Sequence, residues 1–152
     1  MEKKIIKTHK APQAIGPYSQ AVKSGNFIFA SGQIHLDPVS GAMAENNIQA
    51  QTERVMENIK GLLESENLTF ANVIKTTCFL SDMANFAAFN EVYAKYFTEN
   101  PPARSTVAVK ALPKDALVEV EIIAVVEWFW LLKPCVLMHG LFYLSTLIKN
   151  KS

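Results

Sequence analysis

"ALVEVEIIAVV", residues 116–126, decides the fold. Side chains along a strand alternate between its two faces. Val118, Val120, Ile122, Ala124 and Val126 therefore share one face, and Leu117, Glu119, Glu121, Ile123 and Val125 the other. The first set is core material throughout. The second is apolar yet carries two acids, which suits neither a strand buried on both sides nor one open to water. Immediately upstream, "ARSTVAVKAL" (103–112) reads as a buried strand with Arg104 at its head, joined to the last strand by a turn at "PKD", so the two are expected to form a hairpin. "NPP" before it stops a helix, because proline removes a donor and restricts its predecessor. That helix, capped by Ser81 or Asp82, carries Phe86, Phe89, Tyr93, Tyr96 and Phe97 as an aromatic stripe suited to packing on a sheet.

Further upstream, "VIKTTCFL" (73–80) is a β-branched run, and a longer helix repeats apolar residues at three- and four-residue spacing: Ile48, Val55, Met56, Ile59, Leu62 and Leu63 behind an Asn47 cap. At the start, "KKIIKTH" and "QAVKSGNFIFASG" read as strands, the latter folding back at Ser24, Gly25 and Asn26. Strands, helix, strand, helix and strands in that order predict an α+β domain, a mixed sheet with two helices on one face. The other, partly apolar face needs a cover that one chain of 152 residues does not supply, so self-association is expected.

A net charge of +1, from 15 basic and 14 acidic residues, gives no broad positive field for nucleic acid. Small, locally recognised ligands fit better. Two cysteines, Cys78 and Cys135, make neither a disulfide framework nor a zinc spacing, and His9, His35 and His139 are too scattered for a metal site. "MEKKII" runs at once into polar residues, with no secretory apolar region, and the expected location is the cytoplasm.

The chemistry concentrates on a few side chains. Arg104 has two readings: an ion pair with Glu119, Glu121 or another carboxylate, or a clamp whose parallel donors grip a ligand carboxylate in a fork. Glu119 is a structural partner or, beside a bound electrophile, a group that holds or deprotonates a water. In "AIGPYSQAV", Gly16 and Pro17 set a bend that presents Tyr18, either as a packed turn aromatic or as a pocket wall with a free hydroxyl. In "ASGQIH", Ser31 offers a hydroxyl and Gly32 permits close approach of the backbone.

Taken together, "AIGPYSQAV", "FASGQI", "VIKTTCFLSDMANFAAFNEVYAKYF", "PPARSTVAV" and "LPKDALVEVEIIAV" resemble, in order from about Ile5 to Val126, the Rid family of reactive intermediate deaminases, also called endoribonuclease L-PSP. The resemblance implies a chorismate-mutase-like fold and a homotrimer whose sheets line a central barrel, with active sites in clefts between subunits. It implies hydrolysis of enamines and imines such as 2-aminoacrylate to 2-keto acids and ammonia, the 2-iminobutanoate/2-iminopropanoate deaminase activity, without cofactor or metal. Carried over by position, it makes Arg104 the carboxylate clamp and Glu119 the water-orienting acid. Tyr18, Ser31, Asn90 and Thr106 complete the substrate pocket. Thr106 departs from the many relatives with cysteine there, which leaves deamination in place through the strand's backbone but removes any property that needs the thiol. Two other functions remain alternatives: a noncatalytic trimer that senses small carboxylates, and an endoribonuclease or translation inhibitor, against which the absence of a basic stripe counts.

After the resemblance ends comes "EWFWLLKPCVLMHGLFYLSTLIKNKS" (127–152). The domain is drawn at 1–127, with 128–152 an atypical hydrophobic tail. Residues 128–148 approach the ~20 that a membrane-spanning helix needs. Lys133, Pro134 and His139 interrupt them, so a tail anchor is an alternative to a packed extension or a sequence accident, and membrane contact is not the favoured one. The first 127 residues are expected to suffice for fold and activity.

Overall fold

The computed structural model describes residues 3–126. The expectations for the 128–152 tail, with Cys135 and His139, lie outside the described residues. Six strands, β1 (Lys3–Ile6), β2 (Ala21–Ser24), β3 (Phe27–Gln33), β4 (Val73–Leu80), β5 (Ala103–Ala108) and β6 (Val118–Val125), form one sheet in the order β1-β2-β3-β6-β4-β5. Two helices, α1 (Ile48–Ser65) and α2 (Phe86–Tyr93), interrupt the strand sequence. This is the expected α+β architecture with a mixed sheet: β4 and β5 run parallel and every other pair is antiparallel.

The expected hairpin between the last two strands does not form. β4 lies between them, parallel to β5 and antiparallel to β6. A parallel neighbour needs a crossover, and α2 supplies it between β4 and β5. The chain from 109 to 117 then rounds the C-terminal end of β4 through a 3-10 turn at Pro113–Asp115, longer than any tight hairpin loop. β5 is consequently an edge strand, with Ala103, Ser105, Val107 and Ala108 exposed, rather than the buried strand its composition suggests.

α1 forms where its periodicity places it. The Asn47 side chain accepts from the Ala50 amide at 2.8 Å, satisfying a free donor of the first turn. Val55, Met56 and Ile59 are fully buried, each worth about 1.5–3 kcal/mol relative to exposure. They meet Val118, Val120, Ile122 and Ala124 of β6 in one continuous core with Cys78, Leu80 and Phe89. Asp82 caps the 3-10 turn that leads into α2, accepting from the Ala84 amide at 2.8 Å. Tyr96 and Phe97 follow just after the helix ends and extend the stripe through ring contacts.

The opposite face of the sheet is uncovered by the described residues. Ile5, Phe27, Phe29 and Val107 are each 45–50% exposed there. Ile123 and Glu119 lie on the same face, since β6 alternates buried and less buried positions along its length.

Candidate functional site

Glu119 sits in a cavity of about 580 Å³ bordered by Tyr18, Ser31, Gly32, Ile34 and Lys114. A β-bulge builds it. Ala30 pairs with Ile122 and Gln33 with Val120, so β3 spends one residue more than β6 over Ser31 and Gly32. Such an insertion bends the strand and re-aims its side chains. The Glu119 carboxyl packs directly over Gly32, so closely that a methyl group there would collide with it. Burial raises the Glu119 pKa above the usual carboxylate value, and the neighbouring Glu121 charge raises it further. That is the direction a general acid or base needs to exchange protons nearer neutrality.

Across this cavity, Ser31 donates from Oγ to the Ser19 carbonyl at 2.7 Å, and its amide donates to the Gln20 carbonyl, so β3 is laced to the preceding loop. Gly16, at φ +129°, makes the bend before Tyr18. The Tyr18 ring is half exposed, with its hydroxyl 3.4 Å from the Ile15 amide that donates to it. Tyr18 thus borders the cavity while its hydroxyl is engaged by its own turn rather than free.

Arg104 lies in a second hollow of about 480 Å³, with Asn90, Tyr93, Phe97, Pro101 and Pro102. Its Nη1 donates to Asn90 Oδ1 at 2.7 Å. Its guanidinium carbon stands 4.8 Å from the Tyr93 ring centre, 5.6 Å from Phe86 and 6.0 Å from Phe89. Arg104 forms no ion pair with any described residue, which sets aside, within one chain, the ion-pair reading with Glu119 or Glu121. Thr106 is on the same face two residues on. Its hydroxyl is buried without an oxygen or nitrogen partner and lies beside the Cys78 thiol, its ladder neighbour. Burial pushes the Cys78 thiol pKa up, so it is an inert core group rather than a thiolate.

The six side chains singled out by sequence thus fall into two groups. Tyr18, Ser31 and Glu119 share one cavity; Asn90 and Arg104 share the other, and Thr106 lies on the Arg104 face of β5 outside its lining, with a buried hydroxyl. Arg104 is opposite Thr76 in the β4–β5 ladder, and Glu119 is opposite Phe79 in the β4–β6 ladder. Thr76 is buried on the helix side and Phe79 points to the other side, so Arg104 and Glu119 project from opposite faces of the sheet. Among the described residues, no three His, Cys, Asp or Glu cluster as metal ligands, and no helix is long and apolar enough to cross a membrane.

Against this geometry, residues 8–126 match the family model described as Endoribonuclease L-PSP. The chain belongs to the Rid, or endoribonuclease L-PSP, family. A RutC family protein of Pyrococcus abyssi is 52% identical over 127 residues, covering 84% of this chain and 100% of the relative. Reactive Intermediate Deaminase A of Arabidopsis thaliana, a chloroplastic protein, is 44% identical over 124 residues, covering 82% of this chain and 66% of the relative. Among solved structures, E. coli TdcF with bound serine superposes with a TM-score of 0.78 at 42% identity, covering 82% of this chain and 99% of TdcF.

Sequence reasoning passed over the buried amides that hold this Rid chain's cavity in shape. Gln20, 3% exposed, donates from Nε2 to the carbonyls of Thr8, Ala11 and Pro12 and accepts from the Thr8 amide, fixing the loop that carries Pro12 into the wall. Asn58 Nδ2 donates to the carbonyls of Ile34 and Leu36, two further wall residues. Gln51 Oε1 accepts from the Leu117 amide at the entry to β6. Polar residues are by default assigned to the surface, so none of these carried a signal.

Proposed function

We propose that this chain hydrolyses reactive enamine and imine intermediates of the 2-aminoacrylate type to 2-keto acids and ammonia, in a homotrimer where Arg104 of one copy faces Glu119 of the next. The observation that carries it is the state of Arg104: a half-buried guanidinium held by a neutral amide and three rings, with donors free for a ligand carboxylate. A cation in such a place without a carboxylate has its desolvation cost only partly offset, and a bound small acid completes the balance. The bound serine of TdcF, itself a small amino acid with a carboxylate, supports this assignment. The uncovered apolar face with Phe27, Phe29 and Val107 supports self-association, and the division of the site between two faces gives that association a catalytic reason.

The chemistry is redox-neutral and needs no electron sink. Protonation of the enamine carbon gives the iminium form of the imine, whose C2 is electrophilic. Anchoring the adjacent carboxylate on Arg104 fixes where C2 lies, and Glu119 takes a proton as water adds to it. The resulting carbinolamine is protonated on nitrogen, the C–N bond breaks with its electron pair leaving on ammonia, and loss of the hydroxyl proton forms the 2-keto acid. Positioning supplies up to about 7–11 kcal/mol in ideal intramolecular cases, and a reaction that proceeds unaided in water needs only part of that. Tyr18 and Ser31 wall the water side, while Asn90 and Thr106 flank the clamp.

The test is turnover of 2-aminoacrylate generated in situ, followed by imine loss and ammonia release. Arg104→Ala is expected to abolish turnover and Glu119→Gln to lower it by about 10²–10⁴-fold while leaving a measurable rate, both keeping the fold, and co-expressing the two variants is expected to restore part of the activity. Full activity of Arg104→Ala would overturn the assignment. Carboxylate binding by a wild-type chain without turnover would make it a sensor, and RNA cleavage that depends on Arg104 and Glu119 would favour the endoribonuclease reading.

A further inference from the structure

The aromatic stripe of α2 packs the core, as its spacing predicts, but burial alone does not account for where its rings point. Tyr93, Phe86 and Phe89 all turn toward one guanidinium, with Tyr93 nearest at 4.8 Å. A ring face carries negative charge density that attracts a cation, the more so where water is excluded. Tyr93 is also anchored from behind: its hydroxyl and Thr76 Oγ1 share a hydrogen bond of 2.8 Å, with both residues buried. Thr76 is the very residue opposite Arg104 in the β4–β5 ladder. One hydrogen bond therefore ties the ring to the β4 residue beside the β5 position that carries the cation. Asn90 Oδ1, also from α2, engages a single Nη1–H of the guanidinium at 2.7 Å. Ring and amide together fix where the guanidinium lies and which of its N–H groups is occupied.

We infer that Tyr93 is a positioning residue for Arg104: tethered to Thr76, its ring holds the guanidinium plane so that the edge not used by Asn90 is presented to the incoming carboxylate. This rests on the clamp role proposed for Arg104. It follows that lysine cannot replace that arginine, since an ammonium has neither a plane to stack nor a fork to aim. It also follows that the ring matters more than its hydroxyl, which acts only through the tether.

The experiment compares wild type, Tyr93→Phe and a ring-fluorinated phenylalanine at position 93, which keeps the size of the ring while depleting its face of negative charge. The readouts are KM and kcat in the 2-aminoacrylate assay and the Kd of 2-oxobutanoate, a product-like probe. Tyr93→Phe is expected to change the Kd less than threefold, about the range of one modest neutral hydrogen bond. Fluorination is expected to raise KM and Kd about tenfold beyond Tyr93→Phe, with kcat little changed. A purely structural role would lower thermal stability or active fraction without a Kd that follows ring charge. Equal Kd values for the fluorinated and plain rings, with Arg104→Ala unable to bind, would overturn the positioning role alone. Wild-type binding by Arg104→Ala would instead overturn the clamp itself.

Discussion

Gly32→Ala is the smallest change that should disable Glu119 without touching it. A β carbon built on Gly32 falls 2.6 Å from the Glu119 carboxyl carbon and 2.8 Å from its Cγ, and nearer still to Oε1. Non-bonded carbon atoms settle at roughly 3.5–4.0 Å, so the carboxyl must retreat by about 1 Å or more. The atoms that yield are the end of a flexible side chain rather than backbone, and Gly32 shows no positive φ, so the cost to folding is small, within about 1 kcal/mol. The cost to catalysis is not: a misplacement of about 1 Å in a positioned catalytic group is worth about 10²-fold in rate. The assay is a double-mutant cycle of kcat/KM for 2-aminoacrylate with Gly32→Ala and Glu119→Gln. If the methyl group acts by displacing the carboxylate, it costs about 10²-fold in the wild-type background and almost nothing once Glu119 is gone. Wild-type activity in Gly32→Ala, or an equal loss on both backgrounds, would refute the placement of Glu119 over the bulge as the source of its function.

Glu121→Gln should shift the acid limb of the pH–rate profile to lower pH. Glu119 must be ionised to accept a proton and its pKa is raised first by burial and then by the Glu121 charge, so an unmoved limb would rule out that coupling. Gly61→Ala should destabilise the fold even though alanine favours a helix interior by about 1 kcal/mol, because the added carbon meets the Lys10 carbonyl, a backbone group that cannot swing aside. A net loss of about 1 kcal/mol or more, seen as a melting temperature lower by several degrees, is expected, and an unchanged or higher value contradicts the close approach. Burial holds the His35 imidazole below its usual pKa of 6.5, so the folded chain binds fewer protons than the unfolded one. Stability is then complete above pH 6.5 and declines as the pH falls from there toward the folded-state value; replacing His35 with glutamine should flatten that part of a melting-temperature profile.

How far the sequence reached depended on what kind of order each element carries. α1 was legible because its apolar residues repeat with the helical period and β4 because it is a β-branched run, and Asn47 and Asp82 cap because a short polar side chain before a helix has few better uses. Strand pairing was not legible. Alternation along "ALVEVEIIAVV" fixes which side chains share a face but says nothing of which strand lies alongside, so a local hairpin was expected where β4 intervenes. Arg104 and Glu119 stood out because a charge in an apolar strand is costly without a purpose. The bulge over which Glu119 packs left a single trace, Gly32, since one extra residue in one strand does not disturb the composition. The aromatic stripe was read correctly as core, yet its second task, facing Arg104, is a matter of ring orientation that spacing does not encode.

The parity of the ladder gives the split site a physical rationale. Through their partners on β4, Arg104 and Glu119 are anchored opposite Thr76 and Phe79, an odd number of residues apart, and so project from opposite faces. Had the offset been even, cation and carboxylate would face the same side of one sheet within reach of long side chains. A salt bridge between them would then satisfy both charges internally. Such a pair would oppose binding of a substrate acid, which would have to displace Glu119 from Arg104, and it would depress the Glu119 pKa, away from the value proton transfer near neutrality requires. With the sheet between them, each charge is left incompletely satisfied in its own chain: Arg104 on Asn90 and three rings, Glu119 against Gly32 with its pKa raised. Under the proposed assembly the two would meet only across neighbouring copies, where a small acid and a water would lie between them. Activity should then fall on dilution in step with dissociation of the oligomer, and a fully active isolated chain would show that one face suffices.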